Sequence, residues 1–155
     1  MKKKLISFVI MMCFLFGACT SKNTAIIEKD AIVKEYLTNV FTTDYESRYT
    51  NLLNKGMSEE NLNKTYKSFE TIVTEKCIED MKNARIPLSY DQLFCEQGRN
   101  VVPNIKTIKE ASVKEDYIIY DFELDLIEDN APVQEISGQV TIDLSENKIS
   151  HLFIR

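Results

Sequence analysis

The sequence lacks an apolar run long enough for a membrane-spanning helix, which requires roughly 20 consecutive apolar residues. Its main apolar run, residues 5–16, is shorter and ends in Gly-Ala-Cys followed by polar residues. Glycine and proline are scarce, with 4 and 3 residues, and we find neither an internal repeat nor a low-complexity segment. These absences argue against a simple transmembrane anchor and favour one small folded domain.

Histidine is also scarce, since His151 is the only one in the chain. A catalytic histidine needs an orienting partner and a substrate site, and the sequence identifies neither. We therefore interpret His151 as a structural or surface residue of the last predicted strand.

The first 19 residues form a pattern of their own. Residues 2–4 are lysines, residues 5–16 are apolar, and small residues lead to Cys19. This pattern resembles the lipobox of bacterial lipoprotein signal peptides, with Phe16 where leucine is commonest. The resemblance implies diacylglyceryl transfer to the Cys19 thiol and cleavage after Ala18. An ordinary secretory signal is the alternative.

This interpretation divides the chain into a signal peptide at residues 1–18, a lipidated tether at residues 19–24 and a single α+β domain at residues 25–155. The 137 residues left after cleavage carry a net charge near −8. Such a charge repels nucleic acid and anionic headgroups, so membrane attachment would depend on acyl chains such as palmitate on Cys19. We expect a lipid anchor on the extracytoplasmic face of the cell membrane and no nucleic-acid partner.

Only two cysteines, Cys77 and Cys95, remain in the predicted domain once Cys13 is removed with the signal peptide and Cys19 is acylated. An extracytoplasmic location permits a disulfide between them. Two independent buried thiols are the alternative, because sequence spacing does not establish disulfide geometry. A thiol count on the denatured, unreduced protein separates the two.

The first half of the predicted domain has the period of helices with one buried face. We predict a helix over residues 25–41, a short second helix capped by Thr43 or Asp44 and ended by Gly56, and a long third helix from Ser58 to Pro87. The irregular segment 89–103 is expected to pack back on the core, with a single helical turn. The predicted buried faces contain Ile26, Val33, Tyr36, Leu37, Val40, Phe41, Tyr45, Tyr49, Leu52, Leu53, Leu62, Tyr66, Phe69, Ile72, Val73, Cys77 and Met81.

From Ile105 onward the apolar period changes to two, which is typical of antiparallel strands with one buried face. Turn residues at 114–116, 129–132 and 145–148 separate four strands, and short loops predict a meander. The predicted inward residues are Ile118, Tyr120, Phe122, Leu124, Leu126, Ile136, Gly138, Val140, Ile142 and Leu144.

Three helices packed on a curved four-stranded antiparallel meander make an α+β fold. This order of elements and the segment from Val33 to Tyr45 resemble the nuclear transport factor 2-like superfamily, a cone-shaped fold in which helices close over a concave sheet. The chain is also similar to small lipoproteins of Gram-positive bacteria with nuclear transport factor 2-like or cystatin-like domains, which are often associated with conjugative elements. A cystatin-like domain is the nearest alternative fold.

A cone-shaped fold offers an interior pocket as one candidate site. Its candidate lining is aromatic, although aromatic residues at helical spacing also form ordinary cores. These residues are Tyr36, Tyr45, Tyr49, Tyr66, Phe69, Tyr120 and Phe122.

Enzymes that this fold resembles place a carboxylate or histidine in an apolar pocket. The predicted inward faces here offer no carboxylate, so we predict no catalytic residue, no metal site and no cofactor. An acidic row at Asp121, Glu123 and Asp125, continued by Glu128 and Asp129, is interpreted as a solvated face, because alternate strand residues do not converge on one ion.

The sequence thus predicts a noncatalytic, membrane-anchored binding or assembly module of a cell-envelope or conjugation-related complex. Its expected partners are the membrane, through the lipid on Cys19, and a protein at the membrane surface that binds the wet face of the sheet or the cone mouth. One alternative is a small apolar ligand binder or enzyme that uses the cone interior. Another is an inhibitor of an envelope hydrolase.

Overall fold

A computed structural model of the chain describes residues 20–43, 48–56 and 58–155, without the side chains of residues 20–28 and Cys95. The predicted signal peptide, Cys19, Asp44 and Tyr45 lie outside the described residues. The chain divides into two units, residues 1–31 and 32–155. The described part of the first unit, residues 20–31, is helical.

Five α-helices precede the sheet in the described part of the chain, where the sequence predicted three. Helix α1 already includes Thr20, five residues before its predicted start. The helices are α1 (Thr20–Phe41), α2 (Thr50–Lys55), α3 (Glu59–Tyr66), α4 (Glu75–Asn83) and α5 (Leu88–Cys95), with a 3-10 turn (Lys67–Phe69) after α3. No helix of the described residues is both long enough and apolar enough to cross a membrane.

Two of these helices arise because the predicted third helix is interrupted after the 3-10 turn. Val73 pairs with Ile149 in a parallel bridge. The Ile149 amide donates to the carbonyl of Ile72 at 2.9 Å, and the Thr74 amide donates to the carbonyl of Ile149 at 2.8 Å. Thr74 then caps helix α4 by accepting from the Cys77 amide. The backbone thus exchanges a turn of helix for pairing with the last strand, which helical periodicity alone does not reveal.

The segment after Pro87 also differs from its prediction, since it contains the two-turn helix α5 instead of a single turn. Pro87 precedes this helix, and α4 ends earlier, at Asn83. Proline is compatible with a helix start because its missing N–H has no partner there.

The predicted meander is confirmed. The strands are β1 (Val102–Val113), β2 (Tyr117–Glu128), β3 (Ala131–Asp143) and β4 (Lys148–Ile154). They form one antiparallel sheet in the order β1-β2-β3-β4. Asp129 and Asn130, with φ of 49° and 66°, make the β2–β3 turn, a conformation in which Asp and Asn are favoured.

The core lies between the helices and one face of the sheet, as the sequence patterns predicted. The predicted inward residues of β2 are 0–6% exposed, and those of α1 from Val33 onward are fully buried. Leu53 is an exception, since it is 57% exposed. Thr43, one of two predicted caps of the second helix, is instead buried and accepts a hydrogen bond from the Val101 amide at 2.8 Å.

Strand β4 departs from strict alternation. Thr141 pairs with His151, yet Ile142 pairs with Ile149, so Ser150 is an extra residue in β4. Such a bulge reverses the faces that follow it. Ile149 is buried, whereas Phe153 on the same predicted parity is 51% exposed.

Candidate functional site

The predicted aromatic pocket residues are part of the core. Tyr36, Tyr66, Phe69, Tyr120 and Phe122 are at most 1% exposed. The Tyr36 and Phe69 rings meet edge to face, with centroids 6.3 Å apart, and the Tyr66 and Phe69 centroids are 6.4 Å apart. Of the other two candidates, Tyr49 is half-buried and Tyr45 lies outside the described residues. The arrangement favours the core interpretation of this aromatic set.

The thiol of Cys77 belongs to the same core. Cys77 is a free cysteine, and its residue is 2% exposed. Burial raises the pKa of the Cys77 thiol to about 11. Burial, with the neighbouring Cys77, also raises the pKa of Tyr36 well above its usual range. The free thiol of Cys77 favours two independent thiols. Because the side chain of Cys95 lies outside the described residues, the Cys77–Cys95 disulfide stays a prediction.

We expect the protein to lose stability above pH 9. The pKa of Cys77 rises from its ordinary 9.0 to about 11 on folding, so its contribution is present below pH 9 and is lost as the pH rises through 11. The pKa of Tyr66, raised by burial from 10.0 to about 12, extends the loss to higher pH. Chemical denaturation between pH 8 and 11, with reductant, measures the effect, which for Cys77 is on the order of 2 kcal/mol.

A Cys77→Ala variant is the control for this pH dependence. It should lose less free energy of unfolding between pH 9 and 10 than the wild type, because its remaining buried tyrosines titrate higher. If the free energy of unfolding falls equally with pH in both proteins under reducing conditions, the loss of stability does not come from the Cys77 thiol. Equal slopes found only without reductant would instead indicate that the thiol is engaged in the predicted disulfide.

The acidic row forms ion pairs along the sheet. Asp121 pairs with Arg155 at 3.0 Å, Asp125 with Lys106 at 2.8 Å, and Glu128 with Arg99 at 2.7 Å. Glu123 and Asp129 are exposed. Within the described residues, no three His, Cys, Asp or Glu side chains converge as a metal site would require. These contacts support the interpretation of the row as a solvated face.

His151 is exposed and lines a cavity of about 620 Å³ near the start of α4. Asp143, which also lines this cavity, accepts from the hydroxyl of Ser145 at 2.6 Å and from the amides of Ser145 and Glu146 at 2.7 and 3.2 Å. These hydrogen bonds lower the pKa of the Asp143 carboxyl. The carboxylate therefore organises the β3–β4 turn.

A groove of about 630 Å³ lies among helices α1, α2 and α3. Leu52 is its apolar lining residue, and the rest of the lining is polar. The polar lining comprises the amides Asn39, Asn51 and Asn61, the hydroxyls Thr38, Thr42, Thr65 and Ser68, and the cations Arg48, Lys55 and Lys64. Among these described residues there is no carboxylate, histidine or cysteine. The groove therefore supplies hydrogen-bonding groups and positive charge.

Arg48 joins the end of helix α1 to helix α5. Its Nε and Nη2 donate to the two carboxylate oxygens of Asp91 at 3.0 and 2.7 Å. Its Nη1 donates to the carbonyl of Asn39 at 2.9 Å, and Nη2 also donates to the carbonyl of Thr42. The Asp91 side chain is fully buried and that of Arg48 is 15% exposed. A cation at these carbonyls caps the helix, so Arg48 primarily holds the groove wall in place.

The connection between α2 and α3 fixes the opposite side of the groove. The side-chain amide of Asn61 donates to the carbonyls of Lys55 and Gly56 at 3.1 and 3.0 Å. Its backbone amide donates to Ser58 Oγ at 3.3 Å, which confirms Ser58 as the predicted N-cap. Gly56 has a φ of 81°, which glycine adopts without steric strain. Both side-chain N–H groups of Asn61 are thereby used, and its Oδ1 is left to accept.

Two lysines supply the positive charge of the groove. Lys64 pairs with Glu60 at 2.6 Å, and both side chains are largely exposed, 68% and 78%. Exposed pairs of this kind are weak and exchange readily with other ions. Lys55 is exposed and forms no ion pair with any residue that the structure describes. Both ammonium groups can therefore bind an anion.

The sequence patterns did not predict this groove. Its residues occupy the polar sides of predicted helices, where an asparagine or threonine is indistinguishable from ordinary solvated surface. The three asparagines and four hydroxyls near residues 38–68 were the available signal. Comparison with known proteins adds no further assignment, since the chain matches no protein-family model, no curated protein and no solved structure.

Proposed function

We propose that the protein is a noncatalytic binding or assembly module, anchored by lipid on Cys19 to the extracytoplasmic face of the cell membrane. The lipobox-like sequence supports the anchor. The four-stranded meander with helices on one face is compatible with the proposed nuclear transport factor 2-like cone. A cell-envelope or conjugation-related complex is the proposed setting.

The observation that carries the binding role is the polar groove among α1, α2 and α3. Its volume of about 630 Å³ falls within the range usual for ligand sites, about 300–1,000 Å³. Arg48 and Asn61 fix its two sides, Arg48 through part-buried hydrogen bonds to Asp91 and a backbone carbonyl and Asn61 through hydrogen bonds to backbone carbonyls. A polar concavity of this kind favours recognition of a polar partner or ligand over burial of an apolar one.

A binding role is preferred to an interior enzyme for two reasons. The aromatic residues proposed to line an apolar interior are packed on one another and at most 1% exposed. In addition, the described lining of the groove contains no carboxylate, histidine or cysteine for general acid–base or nucleophilic chemistry.

Site-directed photo-crosslinking in native membranes tests the proposal. A photoreactive residue at Ser68, an exposed groove residue, should give one dominant adduct. The same residue at Glu115, exposed in the β1–β2 turn, is the position control and should not. A Cys19→Ser background should remain unprocessed and lose the adduct.

Two results would count against the proposal. The first is a Cys19→Ser protein that is cleaved normally and released, which would refute the lipid anchor. The second is an identical adduct pattern from Ser68 and Glu115, which would show that the groove has no specific partner.

A further inference from the structure

The lining of the groove has a definite hydrogen-bonding character. The hydroxyls of Thr38 and Thr65 donate to the carbonyls of Lys34 and Asn61 at 2.8 and 3.2 Å, which leaves their oxygen lone pairs to accept. The Oδ1 of Asn61 is likewise left as an acceptor, because both of its N–H groups are used. Acceptors in this number match a ligand that carries several hydroxyl groups.

The charge of the groove differs in sign from that of the chain. The chain has 24 acidic and 19 basic residues, yet the described lining contains three cations and no carboxylate. Arg48 is neutralised by buried Asp91. Lys55 and Lys64 are exposed at the groove. Lys64 is paired with Glu60, but this pair is exposed and therefore weak. Two ammonium groups beside a set of acceptors match an anion that also bears hydroxyls.

We propose that this groove binds an anionic, hydroxyl-rich ligand, namely a polyol or sugar carrying phosphate or carboxylate groups. Lys55 and Lys64 bind the anionic groups, and Asn61 and the threonine hydroxyls accept from the ligand hydroxyls. This inference rests on the proposed binding function and names the chemical class that the same groove recognises. An envelope polymer built of such units would be held close to the membrane by the anchored chain.

Calorimetric titration of the full lipidated chain in nanodiscs of neutral lipid tests the ligand class. The probes are a glycerol phosphate oligomer, an oligogalacturonate of matched length and a neutral dextran oligomer. At least one anionic probe should bind, and its affinity should fall when salt is raised from about 50 to 500 mM. Binding of the phosphate probe alone assigns a phosphate ligand, and binding of the uronate alone assigns a carboxylate.

Single substitutions locate the binding. Lys55→Gln and Lys64→Gln should each weaken binding of the anionic probe about tenfold, as expected for loss of a charge-assisted hydrogen bond. Lys114→Gln, the same change at an exposed position in the β1–β2 turn, should leave the affinity unchanged. All three side chains are exposed, so the variants should fold.

Three outcomes would overturn the inference: no binding of either anionic probe, binding of dextran as strong as that of the anions, or an equal loss from Lys114→Gln. A groove adduct at Ser68 that depends on the anchor, combined with no anion binding, would leave the proposed binding module intact and refute only the ligand class. Anion binding without a dominant adduct at Ser68 would instead support the ligand class and count against the proposed partner at the membrane.

Discussion

Replacing Arg48 with leucine is expected to destabilise the protein by about 3–5 kcal/mol, the cost of removing the cationic partner of a buried carboxylate. Asp91 has a fully buried side chain and accepts from Arg48 through both oxygens at 2.7 and 3.0 Å. Arg48 also donates to the carbonyls of Asn39 and Thr42 at the end of α1. The variant therefore loses a helix cap as well as a charge. Chemical denaturation of the full chain measures the loss.

Changing the other partner, in Asp91→Asn, should cost less stability. In Asp91→Asn the unpaired group is Arg48, which is 15% exposed and retains its carbonyl partners, so it can be hydrated. The double variant Arg48→Leu with Asp91→Leu should regain much of the stability lost in Arg48→Leu, because it buries no unpaired charge.

Arg155→Leu is the matched control for the loss of an arginine. Arg155 pairs with Asp121 where the two side chains are 51% and 44% exposed, so its removal should cost less than about 1 kcal/mol. An Arg48→Leu protein no less stable than Arg155→Leu would contradict the buried-pair argument, as would a double variant less stable than the single one.

The sheet was predictable because its signals are local and repeated. Ile118, Tyr120, Phe122 and Leu124 alternate with polar residues, and only one strand register buries them all. The predicted α+β class and meander order followed from this alternation and the turns. The β4 bulge did not, because Ser150 is displaced by the pairing of Ile149 with both Ile142 and Val73, contacts between distant parts of the sequence.

In the helices, too, local patterns predicted the buried faces but not the features set by contacts between distant residues. The apolar stripe of α1 predicted its buried face, but the stripe from Leu62 to Met81 persists through a 3-10 turn and a strand bridge without changing its period. The candidate site was hidden for a related reason. Arg48 and Asp91 are 43 residues apart in the sequence, and no local pattern indicates that two surface-type residues meet in a buried pair. The Arg48–Asp91 ion pair holds one wall of the groove in place.

Gly138→Ala should be the second strongly destabilising substitution, with a loss of about 3 kcal/mol, typical of overpacking. Gly138 is buried on β3 between Phe122 of β2 and Ile154 of β4. A Cβ there would overlap the carbonyl oxygen of Phe153 and lie 2.9 Å from two ring carbons of Phe122. A ring can rotate, but a backbone carbonyl can move only if β3 and β4 separate.

A second substitution separates the contact with the Phe122 ring from the contact with the Phe153 carbonyl. Adding Phe122→Leu to Gly138→Ala should remove the ring contact but not the backbone contact, so little stability should return beyond the separately measured effect of Phe122→Leu. Hydrogen exchange at the Arg155 amide, which donates to the Ser137 carbonyl at 2.9 Å, should accelerate in Gly138→Ala.

Gly56→Ala is the control. Apart from Gly56 and its two chain neighbours, no atom of the described residues lies within 4 Å of an added Cβ, and the φ of 81° is what opposes the change. That strain should cost about 1–3 kcal/mol and leave exchange at Arg155 unaltered. Because Gly138 requires space and Gly56 requires only a backbone conformation, a Gly138→Ala protein with wild-type stability and exchange would mean that β3 and β4 are not packed this closely.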